Sequence, residues 1–239
     1  MMSEEENDEE EDDDEEAFTL ESNEPSAADE AALHVSRACE LLGTIHREAH
    51  QYSESIAQYQ AALLIRQQQK ERNDEQQERK NQKKNQKDNE HNVNVSNAAT
   101  DENEETRMEQ EGNQEEEPES HVYGTPECAA LHNSLGFVYQ AANQDVEAIG
   151  ACQQALSLMD DIRNRHGNPN MLATDREKSH YCCANSHRKL QQWKEAATHF
   201  EQAFQLQQQT CPEQTALLED TKRALETAQA NMANEAKTS

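Results

Sequence analysis

The sequence predicts an all-α fold: a short right-handed solenoid of about three helical hairpins plus a C-terminal cap helix, flanked by disordered acidic segments. Three observations carry this reading. Only 6 Gly and 5 Pro punctuate 239 residues, and between Gly43 and Gly112 there is neither. Alternating runs of β-branched and aromatic residues, the signature of strands, are missing. A pattern of small and large apolar residues recurs three times without gaps, at 42–63, 135–156 and 183–204.

Charge sets the boundaries of the folded part. The net charge is -28, and residues 1–30 hold 16 acids with no Lys or Arg, while 101–120 hold 10 acids and one Arg. These two stretches contribute -16 and -9, so the rest of the chain is close to neutral. Acidic runs almost without apolar residues bury too little surface to offset chain entropy. Residues 1–24 are therefore expected to be a disordered acidic tail, and 71–122 a charged low-complexity insert, helical at its start and disordered from about 88. No apolar run approaches the ~20 residues of a membrane span, and the acidic start is unlike a targeting segment, so the expectation is an intracellular protein, cytoplasmic rather than nuclear. Six Cys with no C-x-x-C pair are then expected to be thiols rather than disulfides.

The elements follow from start and stop signals. Ser26, three residues before Asp29, opens a helix near 26–48. A second runs near 52–70 and completes the first hairpin, 26–70. Thr125 followed by Pro126 supplies an N-cap and a proline at the first helical position, opening 126–141. Its partner spans 145–163, with Gly167 as the C-terminal cap. Asn168-Pro169 repeats the N-cap device ahead of 171–190, which pairs with 194–208 to complete the hairpins of 125–208. Thr210 or Cys211-Pro212 opens the cap helix, 212–231.

Aligned, the three copies share columns. Gly43, Gly136 and Ala184 form the first; Ser55, Ala148 and Ala196 lie twelve residues later. Tyr59, Cys152 and Phe200 follow, then Ala62, Ala155 and Ala203, then Leu63, Leu156 and Phe204. Small residues let antiparallel helices approach closely, and large ones fill the space between them. Leu42, Leu135, Tyr139 and Trp193 join these as packing residues.

This spacing resembles the tetratricopeptide repeat, a helix-turn-helix unit of 34 residues. Leu135-Gly136 and Tyr139 match its L-G-x-x-Y element; the first copy keeps Leu42-Gly43 with His46 at the Tyr place, and the third has Cys183, Ala184 and His187. Cys39, His132 and His180 stand in the family's Trp column. PECAALHNSLG, 126–136, also resembles the extended repeats of kinesin light chains. The first two copies are 93 residues apart and the next two 48, so an insert of about 55 residues beyond the usual period separates hairpins 1 and 2.

The resemblance implies that the first helix of each hairpin lines a concave groove. Its inward positions would be Arg37, Glu40, Thr44 and Arg47, then Ala130, Asn133, Phe137 and Gln140, then Lys178, Tyr181, Asn185 and Arg188. Four are basic and one acidic, which suits an acidic or amide-rich peptide. The family's carboxylate-clamp members would need a Lys/Asn/Arg set where this chain has Glu40, Thr44, Ser134, Lys178 and Cys182; only Lys178 fits.

Other chemistry is sparse. The run HYCCANSH, 180–187, concentrates His and Cys, but His180 and Cys183 fall in packing columns, so packing is favoured over metal and no cofactor is expected. No Ser-His-Asp set, phosphate loop or H-E-x-x-H is present, and the carboxylates sit in runs without a pocket, so an enzyme is not expected. Arg79, Lys80, Lys83, Lys84 and Lys87 form a basic stripe that reads as a solvated helix prolonging 52–70, or as an import or nucleic-acid patch lacking aromatic residues. Two functions compete: a non-catalytic adaptor holding a partner peptide in the groove, and an acidic histone-chaperone-like protein binding basic partners through its acidic runs.

Overall fold

The computed structural model describes residues 26–96, 125–168 and 170–238. The expected tail 1–24 and the acidic part of the insert, 97–122, lie outside the described residues. Among the described residues the fold is all-α, with seven helices: α1 Ala27–Glu48, α2 Tyr52–Ser96, α3 Pro126–Ala141, α4 Asp145–His166, α5 Ala173–Lys189, α6 Trp193–Thr210 and α7 Thr215–Thr238. None is long and apolar enough to cross a membrane.

The caps follow the sequence signals in part. Ser26 Oγ accepts from Asp29 N at 3.2 Å, and Thr125 Oγ1 accepts from Cys128 N at 3.4 Å, with Pro126 in the first turn. Gly167 ends α4 with φ +60°, a left-handed conformation that favours glycine. The start of α5 needs correction. Asn168 does not cap a helix; its Oδ1 accepts from Asn170 N at 3.1 Å in a local turn, and α5 begins only at Ala173 behind a left-handed Leu172. Likewise Cys211-Pro212 lies in a turn and α7 starts at Thr215. The helix expected at 52–70 is prolonged through the basic stripe as expected, and it runs on to Ser96, beyond the disorder expected from about 88, because nothing in that stretch stops it.

The hairpins α1–α2, α3–α4 and α5–α6 are closed by the same turn. His50, Asn143 and Gln191 are left-handed, with φ of 59°, 58° and 59°. In each turn the left-handed residue donates three residues back, and the next N–H donates five back, to His46, Tyr139 and His187. This is a Schellman closure. The three positions are offset by 93 and 48 residues, the offsets of the sequence alignment.

Packing repeats along with the turn. Ala148, Ala196, Ala155, Ala203, Cys152 and Phe200 are fully buried, and so is Ala62; Tyr59 is 2% exposed. Ser55 Oγ donates to Gly43 O at 2.7 Å, and Thr44 Oγ1 shares a 2.9 Å hydrogen bond with the Tyr59 hydroxyl, tying α1 to α2. The hairpins pack in chain order: α2 meets α3, α4 meets α5, α6 meets α7, and α3 also touches α5. Tyr59, Ala62 and Leu63 of α2 share one core with Leu131, Leu135 and Val138 of α3, with Tyr139 partly buried beside it. The first hairpin is thus docked on the second. Ala184, Ala196, Ala197 and Phe200 form another core with Ala228 of α7. Leu42 does not pack as expected: it is 44% exposed, because among the described residues no helix lies over that face of α1 as α2 lies over α3. Trp193 is half-buried at the start of α6.

Candidate functional site

The first helices α1, α3 and α5 carry the twelve residues expected on the groove, and the structure divides them into two groups. Arg37, Lys178 and Arg188 are exposed and Arg47 is half-buried. Lys178 Nζ lies 3.4 Å from Asp175 Oδ1, an exposed i,i+3 pair that is weak in water. Glu40, the acid of the set, is bound by Arg66, which is 3% exposed and also donates through Nε to Ser36 Oγ at 3.0 Å. With Glu40 bound by Arg66, the charges left among the twelve are Arg37, Arg47, Arg188 and the weakly paired Lys178.

The second group is engaged inside the protein. Asn133 is buried rather than open: its Nδ2 donates to Asp175 O at 3.1 Å and its Oδ1 accepts from Ser179 Oγ, joining α3 to α5. Gln140 bridges the same helices, donating to Cys182 O at 3.1 Å and Ser186 Oγ at 3.2 Å, while Lys189 Nζ donates to its carbonyl. Phe137 packs on Cys152, Cys182 and Cys183. Tyr181 meets Phe200 edge-on, ring centroids 5.9 Å apart. Asn185 Nδ2 donates to Tyr181 O at 3.1 Å. Phe137, Tyr181, Gln140 and Asn185 keep half-buried edges. Asn133 and Gln140 are therefore inter-hairpin brackets first. Thr44 is held by Tyr59, and Ala130 is exposed.

Sequence reasoning passed over Arg66. The signal was present: a cation closing the apolar run AALLIR, on the helix face that Ala62 shows to be buried. A buried guanidinium needs an acid, and Glu40 on the facing helix supplies it.

The His and Cys residues are packed. Cys152, Cys182 and Cys183 are fully buried together, and hydrogen bonds to Cys182 and Cys183, followed by burial, push the Cys152 thiol well up. Burial also raises the Cys128 thiol. His180 Nδ1 and His199 Nδ1 are 3.0 Å apart, and His187 stacks on His199. Burial, then the neighbouring His199 and Arg176, lowers His180 to about 3; burial lowers His132 to about 4. His199 is also lowered, by burial and His187. The rings of His132, His180 and His199 are neutral near pH 7. Among the described residues no group of three His, Cys, Asp or Glu could hold a metal ion.

A cleft of about 700 Å³ lies where Asn170, Leu172 and Asp175 face Gln209 and Thr210. It contains none of the expected groove residues. The basic stripe lies on α2 beyond the Arg72–Asp29 pair; Arg79, Lys80, Lys83 and Lys84 are exposed there. The side chain of Lys87 is outside the described residues.

No family model matches this chain, and no curated protein matches it.

Proposed function

We propose that the chain is a tetratricopeptide-type, non-catalytic adaptor, whose three hairpins stack as a short solenoid and hold a partner peptide on the face shared by α1, α3 and α5. The observation that supports it most is that Arg37, Lys178 and Arg188 are exposed and Arg47 half-buried on these first helices, while Glu40, the acid of the set, is bound by Arg66. In an acidic chain this local excess of positive charge selects an acidic peptide and steers its approach. Half-buried edges of Phe137 and Tyr181 offer apolar contact between the cations. Arg47→Glu combined with Arg188→Glu tests the reading: Arg188 is exposed and Arg47 half-buried, an unchanged helical circular-dichroism spectrum shows that the fold is kept, and loss of partners in a pull-down is expected. Unchanged partners would count against it.

The second reading is an acidic histone-chaperone-like protein for basic partners. It rests on the acids of 1–24 and 101–119. Deleting 1–24 and 100–120 abolishes binding of basic proteins under that reading, and retained salt-sensitive binding would overturn it.

A further inference from the structure

The first helix carries an apolar face that its counterparts keep covered. Val35, Leu42 and Ile45 are 53%, 44% and 59% exposed, and Leu41 beside them is 67% exposed. Moved by the 93-residue offset, the first three correspond to Cys128, Leu135 and Val138 of α3, which are 0%, 4% and 0% exposed. Tyr59, Ala62 and Leu63 of α2 lie over that face of α3. In α5 the corresponding Cys183 and Ser186 are likewise buried. At the other end of the array α7 covers α6. End units of stacked repeats need a polar outer face, and α1 presents an apolar one.

The length of chain ahead of α1 says what can cover it. Within residues 1–25, Ala17-Phe18-Thr19-Leu20 is the one apolar cluster away from the initial Met pair. Leu20 is six residues before Ser26, a reach of up to ~20 Å, and Phe18 reaches ~26 Å. Val35 and Leu42 lie about 12 and 22 Å along the helix from Ala27. A segment doubling back at Pro25 can therefore lay Phe18 and Leu20, which share one side of an extended chain, across these residues. The acidic run 4–16 would then leave toward His46 and Arg47 in the last turn of α1. A second copy fits less well. A helix face of this length offers about 330 Å², whereas stable pairs bury roughly 800 Å² per partner. A tethered segment binds at high effective concentration and needs less area.

We propose that Ala17–Leu20 dock on the uncovered face of α1 formed by Val35, Ala38, Leu42 and Ile45, and serve as the N-terminal cap of the array. The four residues of this cap site are none of those assigned to the α1–α3–α5 face.

The test is the alkylation rate of a Leu42→Cys variant of the full chain, read by peptide mass spectrometry, with and without Phe18→Asp and Leu20→Asp. Leu64→Cys, on an exposed site of α2, is the reference. Expected is labelling of residue 42 slowed at least about tenfold relative to residue 64, and restored by the two aspartates. Fast labelling with the natural tail overturns the proposal. So does slow labelling that persists with the aspartates: if it relaxes on dilution, a second copy is the cover, and if it does not, another element is.

Discussion

Gly136 faces Cys152 so closely that a Cβ on residue 136 would lie 2.3 Å from the Cys152 sulfur. The sulfur cannot swing aside freely, because Cys182 and Cys183 pack around it. Gly136→Ala is expected to destabilise the protein by about 1–3 kcal/mol, the cost of overpacking a filled core. Adding Cys152→Ala removes the clash, so the double variant is more stable than the sum of the single effects predicts, and urea unfolding measures the difference. Gly150 is the contrast: nothing lies within 4 Å of its would-be Cβ. Gly150→Ala should stabilise α4 by up to about 1 kcal/mol.

The three hairpin turns make a second prediction. Gln191 is left-handed with φ 59° and exposed, a conformation that glycine adopts without the clash a Cβ brings. Gln191→Gly should raise stability by about 1 kcal/mol in the same unfolding measurement. His50→Gly should gain less, since the His50 ring bonds the Tyr52 hydroxyl at 2.9 Å.

These turns mark what was legible in the sequence. The columns at Gly43, Gly136 and Ala184 located the hairpins and the buried alanines, because close helix packing restricts residue size at those places. The left-handed residues were not legible, since His, Asn and Gln share no turn signature. The start of α5 was misread because Asn-Pro opens a turn as readily as a helix, and the segment 168–172 closes on itself. The end of α2 had no stop signal to read. On the candidate face, column position gave direction but not engagement: Asn133 points toward a partner helix whose Ser179 lies 46 residues away in sequence. Leu42 occupies the column of Leu135 and is exposed because, among the described residues, no element covers that face of α1.

Acid should loosen the protein through its histidines. His132 and His180 are 5% and 7% exposed, and their folded values, about 4 and about 3, lie below the unfolded value of 6.5. The unfolded chain therefore binds more protons. Their contribution is fully present above pH 6.5 and is lost as pH falls from 6.5 toward about 4 for His132 and about 3 for His180. Together they should steepen the loss to at most about 3 kcal/mol per pH unit, and His180→Asn should remove about half of it. Urea midpoints between pH 7.5 and 4.5 give the slope, which about five evenly spaced points suffice to define.

Thiol reactivity should follow burial. Cys128, Cys152, Cys182 and Cys183 are fully buried, whereas Cys39 and Cys211 are half-buried. Native alkylation should modify Cys39 and Cys211 first, with the other four reacting only on unfolding. Early modification of Cys152 would mean that the α3–α4–α5 contact opens readily.

The proposed partner peptide lies along α1, α3 and α5. Cross-linking mass spectrometry on the full chain purified with its bound protein tests this most directly. Cross-links from one partner segment to Lys178, and to photoreactive groups placed at Ala130 and next to Arg37 and Arg188, are the predicted result. Cross-links confined to residues 1–24 and 101–119, with that face unlabelled, would contradict it.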